Sequence, residues 1–393
     1  MTDDAAAEVV GGLDQPPDLQ PEHGSLRLAA PEDDWSRADW EKAAAAALRK
    51  SRRLRDDDPD DAVWSALART TYDGITIPPL GIPDLLDDLA TSGRPTRAGG
   101  WDVRTRTSGD SAAAVRDLES GATSLWLLAD EAGADLAAAL DGVRLDLAPV
   151  VLESPTLEQA ESLVALGPLH PDSNLGATDD AEVPAFARLG IQAGVRAVVA
   201  DATTVHEDGA SDGQELGWLL ARGAALLRTL EAAGVPAEQG FGLVELRLAA
   251  TDEQFATIAK LRAARRLWAR MAELCDVPDP RTRIHAVTSR PMTSAFDVHL
   301  NLLRGTVAAF GAGVGGADAL TVVPFDEPTG EVSDLARRMA RNTSALLVAE
   351  AHVAAVADPA GGAYAVERLT DDLARVAWTE LGAIETEGDD AFA

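Results

Sequence analysis

From about residue 110 onward, the sequence alternates between short runs rich in Leu and β-branched residues and longer amphipathic segments. Short apolar runs predict buried strands, and apolar residues at three- and four-residue spacing predict helices. The candidate strands are residues 123–128, 145–152, 162–166, 196–203, 242–248, 284–289, 319–325 and 353–358. The clearest helical patterns lie between them, at residues 212–233, 252–274, 298–310 and 332–351.

Eight strand–helix units predict an α/β fold, a (β/α)8 TIM barrel over residues 110–385. A doubly wound open sheet is the alternative that the pattern leaves open. In a barrel, chemistry takes place at the carboxyl ends of the strands. The residues expected there are 201–207, Arg247, Ser289, Arg290, Phe325, Asp326, Asp358 and Pro359.

The residues before the barrel form an N-terminal extension. Residues 1–30 are rich in Asp, Ala and Pro, which predicts a flexible acidic tail. Residues 31–109 are expected to form a helical and extended segment, with Asp39 capping a first helix. Three tryptophans, Trp35, Trp40 and Trp64, are candidates for anchoring a partner protein, with packing on the barrel itself as the alternative.

Charge and hydropathy exclude several classes of function. The formal net charge of -31 over 393 residues repels phosphate backbones and anionic lipids, so we expect no nucleic acid and no membrane partner. The N-terminus has neither the basic nor the apolar region of a secretory signal, and no run approaches the roughly 20 apolar residues of a membrane helix. A soluble, cytoplasmic protein is expected.

Three local signals favour structural interpretations. The single cysteine, Cys275, lies in an apolar-periodic stretch and is expected to be a small buried side chain. The glycine tract 311–316 matches no phosphate-loop spacing and is expected to be a turn from a helix to a strand. The cations of residues 260–266 are expected to form a solvated helix face, with pairing to carboxylates or to an acyl-CoA phosphate as the alternative. The histidines show no metal-ligand spacing, so no metal site is expected.

Several ordered blocks together resemble the methylmalonyl-CoA mutase family. The longest is MTSAFDVHLNLLRGTVAAF at 292–310, continued by GGADALTVVPFD at 315–326. The ending TVVPFD is more similar to the small subunits than to the large, catalytic ones. The other blocks are YDGI at 72–75, GAS with QEL within 209–216, IAKLRAARRLW at 258–268, RMARNT at 338–343 and VADPAGGAYAVE at 356–367.

The departures from the family pattern imply a chain without catalytic residues. Where catalytic chains have an active-site Tyr after a Trp-x-Ile-Arg-x stretch, residues 101–105 are followed by Arg106. Where they have a Tyr-His pair, Thr203 and Thr204 occur, and His206 lies two residues out of register. A QNDxxKE-like motif, which supplies a substrate amide and a carboxylate-binding Arg, has no counterpart. The positions Arg106, Thr203 and Thr204 are therefore interpreted as degenerate, and the substrate-binding residues are unknown.

The resemblance also implies where the cofactor would lie. Asp297 and His299 begin like the DxHxxG motif whose histidine ligates cobalt in many B12 proteins, but Leu302 replaces the glycine. The chain ends where a linker to a cobalamin domain would begin. We therefore expect no cofactor in this chain, no cobalamin-binding domain, and adenosylcobalamin in the partner subunit.

The resulting hypothesis is a non-catalytic small subunit that forms a heterodimer with a homologous large catalytic mutase subunit. Two alternatives stay open: a stand-alone acyl-CoA-binding regulatory barrel, and an acyl-CoA mutase chain that uses a separately encoded cobalamin domain. The acyl-CoA substrate of the complex is not determined by the sequence.

Overall fold

The computed structural model describes residues 35–89, 97, 99–133 and 135–387. The chain divides into two compact units, Met1–Ala68 and Arg69–Ala393. The tail predicted over residues 1–30 lies outside the described residues.

The first unit contains helix α1 (Arg37–Lys50), a 3-10 turn (Asp60–Ala62) and helix α2 (Val63–Leu67). Ser36, and not the predicted Asp39, caps α1. The Ser36 hydroxyl accepts from the backbone N–H of Asp39 at 3.2 Å, and the Asp39 carboxylate accepts from the backbone N–H of Ser36 at 3.0 Å. This reciprocal capping box satisfies two N–H groups that the helix start would otherwise leave free.

Two of the three N-terminal tryptophans pack within this unit. The rings of Trp40 and Trp64 lie 4.9 Å apart, and the Trp64 indole donates to Glu41 at 2.7 Å. Trp35 is 69% exposed. Of the three, Trp35 is thus the one whose ring is mostly open to a partner.

The second unit is a closed barrel of eight parallel strands, which confirms the predicted (β/α)8 fold. Each strand pairs with the next along the chain, and the last pairs with the first. The strands are β1 (Asp102–Thr107), β2 (Ser124–Leu128), β3 (Val150–Glu153), β4 (Asn174–Ala177), β5 (Arg196–Asp201), β6 (Val244–Ala250), β7 (Ile284–Thr288) and β8 (Ala319–Thr321).

Helices follow the strands and cover the outside of the barrel. They are α3 (Ser111–Glu119), α4 (Ala129–Ala132), α5 (Leu136–Ala139), α6 (Leu157–Ala165), α7 (Val183–Ala193), α8 (Thr203–Glu207), α9 (Asp212–Ala232), α10 (Ala237–Leu243), α11 (Gln254–Leu274), α12 (Val298–Val314), α13 (Asp334–Ala349) and α14 (Tyr364–Glu387). A short antiparallel ribbon, Arg69–Thr70 with Thr76–Ile77, precedes the barrel. Short 3-10 turns occupy Pro83–Leu86, Glu327–Thr329 and Val353–Ala355.

The barrel departs from the predicted pattern at four places. It begins at β1, before residue 110, and β4 was not predicted at all. Residues 162–166, predicted as a strand, fall largely within α6, and residues 353–358 begin with a 3-10 turn and form no strand. The predicted number of strands was still eight, because two strands were missed and two others were predicted wrongly.

The missed β4 depends on a glycine that no other residue could replace without a shift. Gly176 has φ +76, and a Cβ built on it would lie 2.0 Å from the carbonyl oxygen of Leu152 in β3. The register of β4 against β5 also shifts between Asn174 and Ala177. A four-residue strand holding Asn and Gly gives no apolar run, which is why the sequence pattern does not reveal it.

Alternate residues of each strand face the helices and the lumen. Leu125 and Leu127 of β2 point outward into the main core beneath the helices. Trp126 between them points inward, where it packs with Val151 of β3 and Val287 of β7. No helix among the described residues is long and apolar enough to cross a membrane.

Candidate functional site

The part of the lumen toward the amino ends of the strands holds a buried ion pair. Arg104 of β1 donates from Nη1 to Glu245 of β6 at 2.7 Å, and both side chains have 0% exposure. These strands are not neighbours, so the side chains meet across the barrel axis. Burial alone would raise the pKa of Glu245, but Arg104 and Arg283 outweigh that cost and hold the pKa below its ordinary value. Glu245 is therefore a carboxylate that serves to neutralise two buried guanidinium groups.

A second charged layer lies at the carboxyl ends of the strands. Arg247 of β6 donates from Nη1 to Glu153 of β3 and to Asp201 of β5, each at 2.7 Å. Its guanidinium lies 4.3 Å from the Trp126 ring centroid, and the Trp126 indole donates to the same Glu153 oxygen at 2.7 Å. Arg247 thus bridges three strands over the axis.

His285 of β7 connects the two layers. Its Nδ1 accepts from Arg247 Nε at 3.2 Å, because an arginine can only donate, and its Nε2–H donates to the Thr321 hydroxyl of β8 at 2.9 Å. Burial, together with the nearby Arg104 and Arg247, lowers the pKa of His285 well below its usual value. The ring is therefore neutral, and both of its nitrogens are hydrogen-bonded.

The structure separates Arg106 from the other two predicted degenerate positions, Thr203 and Thr204, which are adjacent on α8. Arg106 is at the end of β1, with Nη1 3.8 Å from Glu327 and the guanidinium carbon 5.7 Å from the Trp126 ring centroid. Thr203 begins α8 after β5, and its hydroxyl donates to Asp201 at 2.6 Å. Thr204 is exposed. Since β1 and β5 are on opposite sides of the barrel, these positions do not form one cluster.

His206, on α8, contacts Ser289 in an arrangement similar to that of a serine nucleophile and its histidine base. Its Nε2 lies 2.7 Å from the Ser289 hydroxyl, and its Nδ1 lies 3.6 Å from Glu215. Burial and the nearby Lys260 ammonium lower the pKa of His206 to about 4, so the ring is neutral at pH 7.

This contact is closed to substrates. Ser289 is 3% exposed, and the crevice beside it has no room for a water molecule. The Glu215 carboxylate accepts from Lys260 at 2.6 Å and from the backbone N–H of Ala249 at 2.7 Å. The group therefore ties α8, α9 and α11 to the end of β7, and it is not a nucleophilic site.

Of the cations at 260–266, Lys260 and Arg262 are buried and Arg265 and Arg266 are half-buried, so the predicted solvated face was wrong. The structure shows pairing with carboxylates instead. Lys260 has 0% exposure and pairs with Asp212 at 2.7 Å in addition to Glu215. Arg262 pairs with Asp358 at 3.0 Å and with Glu367 at 2.9 Å. These pairs join α11 to α9 and to α14.

Two further local predictions need correction. Cys275 is exposed and follows the last residue of α11, so it is not a buried hydrophobe. Gly311 and Gly313 lie inside α12, and only Gly315 and Gly316 form the predicted turn. A Cβ on Gly313 would lie 2.6 Å from the Trp101 ring, so this glycine allows α12 to approach the barrel closely.

The Asp297 and His299 side chains, which begin like a cobalt-ligating motif, are both engaged within the protein. His299 lies on the first turn of α12 with its ring stacked on Phe325 at 5.9 Å, and Asp297 caps the same helix. No group of three or more His, Cys, Asp or Glu side chains able to hold a metal occurs in the part of the chain that the structure describes.

A cavity of about 380 Å³ lies near the strand ends, between β1, the end of β8 and α13. Arg290, on the loop after β7, lies at its rim, where it pairs with Glu327 at 3.0 Å and with Glu207 at 2.9 Å. Arg106 lines the same cavity.

One sequence pattern indicates the charged lumen, although it is not among the predictions above. Glu245 and Arg247 are two residues apart within an otherwise apolar strand, so they share one face. In a strand buried on both sides, two charges on one face indicate that they point into a polar lumen.

These features define a (β/α)8-barrel protein whose lumen is occupied by its own ion pairs. A family profile described as methylmalonyl-CoA mutase matches residues 191–393. The small subunit of methylmalonyl-CoA mutase from Streptomyces virginiae is 44% identical, over 92% of this chain and 65% of that protein. A probable small subunit from Mycobacterium bovis is 37% identical, over 90% of this chain and 65% of that protein. The large subunit from S. virginiae is 35% identical over 47% of this chain and 26% of that protein.

The chain belongs to the methylmalonyl-CoA mutase family, and its matches to small subunits extend over nearly its whole length. It spans about 65% of the length of those small subunits. A solved structure of Mycobacterium tuberculosis Rv1207 covers 66% of this chain at 16% identity with a TM-score of 0.34.

Proposed function

We propose that this chain is the non-catalytic small subunit of a heteromeric methylmalonyl-CoA mutase. In this proposal the homologous large subunit holds adenosylcobalamin and converts methylmalonyl-CoA to succinyl-CoA. The small subunit stabilises the assembly, since a fold persists without the site that it once carried.

The observation that carries the proposal is the filled lumen. Arg247, bridging Glu153 and Asp201, occupies the barrel axis where a (β/α)8 enzyme would place its reacting groups. A substrate entering there would break a buried charge network, which costs several kcal/mol per uncompensated charge. Arg106, Thr203 and Thr204 offer no general acid in place of the Tyr and His that the family resemblance implies.

An exposed apolar surface supports a binding role. Phe296 is fully exposed before α12, and Leu303 on α12 is 66% exposed. Arg304 approaches Asp252 to 3.5 Å, which brings the start of α11, with the 64% exposed Phe255, close to them. Large apolar side chains exposed in the same region typically mark a protein interface.

Coexpression with the homologous large subunit tests the proposal. Size-exclusion chromatography with light scattering should show a 1:1 complex, and the isolated chain should convert no methylmalonyl-CoA. The double variant Phe296→Asp with Leu303→Asp should weaken the complex at least about tenfold. Leu346→Asp, an exposed leucine on α13, is the matched control and should leave affinity unchanged.

Two results would refute the proposed role. One is turnover by the chain purified free of any large subunit, and the other is failure to bind the large subunit at micromolar concentration. We also expect no saturable change in the visible spectrum of adenosylcobalamin when the isolated chain is added. A saturable change at micromolar concentration would contradict the placement of the cofactor in the partner.

A further inference from the structure

The cavity between β1, the end of β8 and α13 is lined by arginines from three parts of the barrel. Arg106 comes from β1, Arg290 from the loop after β7, and Arg337 and Arg341 from α13. The formal net charge of the chain is -31, so its general field repels anions. Together with Arg104, which also lines the cavity and pairs with Glu245, these residues place five guanidinium groups around one cavity, a local reversal of charge.

Some of these arginines are neutralised within the protein. Arg341 pairs with Asp117 and donates from Nε to the carbonyl of Ser120 at 3.0 Å. Arg290 pairs with Glu327 and Glu207, as described above. These pairs hold the walls in place.

Other cations at the cavity have spare hydrogen-bonding capacity. Among the described residues Arg337 forms no direct ion pair, although its charge acts on Asp117, which pairs with Arg341. Arg106 approaches Glu327 only to 3.8 Å. The remaining carboxylate in the lining is Glu131, which is exposed. Two guanidinium groups are thus available to an anion.

A buried hydroxyl provides an independent observation. The Ser344 side chain lines the cavity, is 1% exposed, and its Oγ has no hydrogen-bond partner in the described structure. An unpaired buried polar atom is rare and costs free energy unless a ligand or water completes it. Ser344 therefore indicates a missing acceptor or donor inside the cavity.

We propose that this cavity binds a phosphoryl group. Guanidinium groups present paired donors that match phosphate oxygens, and a serine hydroxyl adds a further donor. The loops after the seventh and eighth strands, which contribute Arg290 and Glu327 here, are where (β/α)8 barrels frequently hold phosphate. A volume of about 380 Å³ accommodates a phosphate with a short organic chain as well as free phosphate.

Isothermal titration of the full chain with inorganic phosphate and with glycerol 3-phosphate tests the site and distinguishes the two sources. At least one of the two should bind saturably, and affinity should fall about tenfold or more in Arg337→Gln. Arg338→Gln is the matched control, since Arg338 is exposed on the same helix but does not line the cavity. Ser344→Ala should weaken the same ligand severalfold.

Tighter binding of glycerol 3-phosphate would identify a phosphorylated metabolite, and equal or tighter binding of inorganic phosphate would identify the free ion. Either supports the phosphoryl site. Absence of saturable binding of both, equal loss in Arg338→Gln and Arg337→Gln, or binding of succinate in preference to both would overturn it. None of these results depends on binding to the large subunit, so the proposal can fail without affecting the proposed function.

Discussion

The guanidinium of Arg104 and the carboxylate of Glu245 meet 2.7 Å apart across the barrel lumen, and neither side chain is exposed to solvent. A buried pair of this kind adds little net stability, but removing one partner leaves an uncompensated charge. The pair therefore fixes what the lumen can contain: side chains of the protein itself.

Removing the Glu245 charge should destabilise the barrel strongly. Glu245→Gln leaves the buried Arg104 without its ion-pair partner, while Arg283 keeps Asp102 and Asp172, and we expect a loss of about 3–5 kcal/mol in the free energy of unfolding. Urea denaturation measures it. Glu385→Gln, which breaks the exposed pair with Arg228, should change stability by less than about 1 kcal/mol. Equal effects of the two variants would contradict the role of the buried pair.

Acid sensitivity should depend on His206. The unfolded chain binds a proton on His206 near pH 6.5, and the folded chain does so only near pH 4. Protonation therefore favours the unfolded state, and stability is lost as pH falls through this window. In His206→Asn the free energy of unfolding should fall less steeply between pH 6.5 and pH 4. Parallel curves for the wild-type protein and His206→Asn would refute the assignment.

Gly176 should tolerate no side chain. A Cβ would collide with the Leu152 carbonyl oxygen at 2.0 Å, so Gly176→Ala must displace β4 from β3. We expect a loss of at least about 3 kcal/mol, measured by thermal or urea unfolding. Gly234→Ala provides the control: its φ of +85 is also left-handed, but no atom lies within 4 Å of the added Cβ. It should cost about 1 kcal/mol, which is the conformational strain alone.

Removal of the first compact unit should weaken subunit assembly without unfolding the barrel. Residues 69–393 form a separate compact unit, so this fragment should keep a cooperative thermal transition. We expect its affinity for the large subunit to fall at least about tenfold. Trp35→Ala should account for part of this loss. Leu147→Ala, at a leucine of the barrel unit whose side chain is 65% exposed, should have no effect. Unchanged affinity of the fragment in surface plasmon resonance would show that the N-terminal segment wraps no partner.

Restoring catalytic residue types should not restore catalysis. In Arg106→Tyr, Thr203→Tyr, Thr204→His, a new Tyr at 203 would lose the 2.6 Å contact with Asp201, and Arg247 would still lie over the axis. Misplacement near 1 Å costs about a hundredfold in rate. We expect no conversion of methylmalonyl-CoA, followed by chromatography of the acyl-CoA products, even with adenosylcobalamin added. Succinyl-CoA formation by the variant would show that the three positions alone had limited the chain.

The sequence predicted the fold because outward-facing strand residues are apolar and helices alternate with them. It missed β1, whose inward residues are charged and whose outward residues are mostly threonine. In β1, Arg104 and Arg106 alternate with residues that face outward, so the strand has no apolar run. The lumen network could not be predicted for a different reason. Glu153, Asp201 and His285 come from separate strands and meet only after the barrel closes.

The residues at the degenerate positions could be identified by register with the family, but their surroundings could not. The Asp201 partner of Thr203 is two residues away and could be guessed from the sequence, whereas the Glu327 partner of Arg106 is on the loop after the last strand. Long-range partners of this kind depend on closure of the barrel between β8 and β1.

Cys275 is the single cysteine of the chain, and it lies exposed where α11 ends. Since α11 starts after the carboxyl end of β6 and returns toward the amino end of β7, this thiol is on the opposite face of the barrel from Arg247 and Arg290. A maleimide fluorophore would therefore attach at one known position, far from the strand-end groups. The chain can therefore be labelled at one position, without an engineered cysteine, to measure its association in solution.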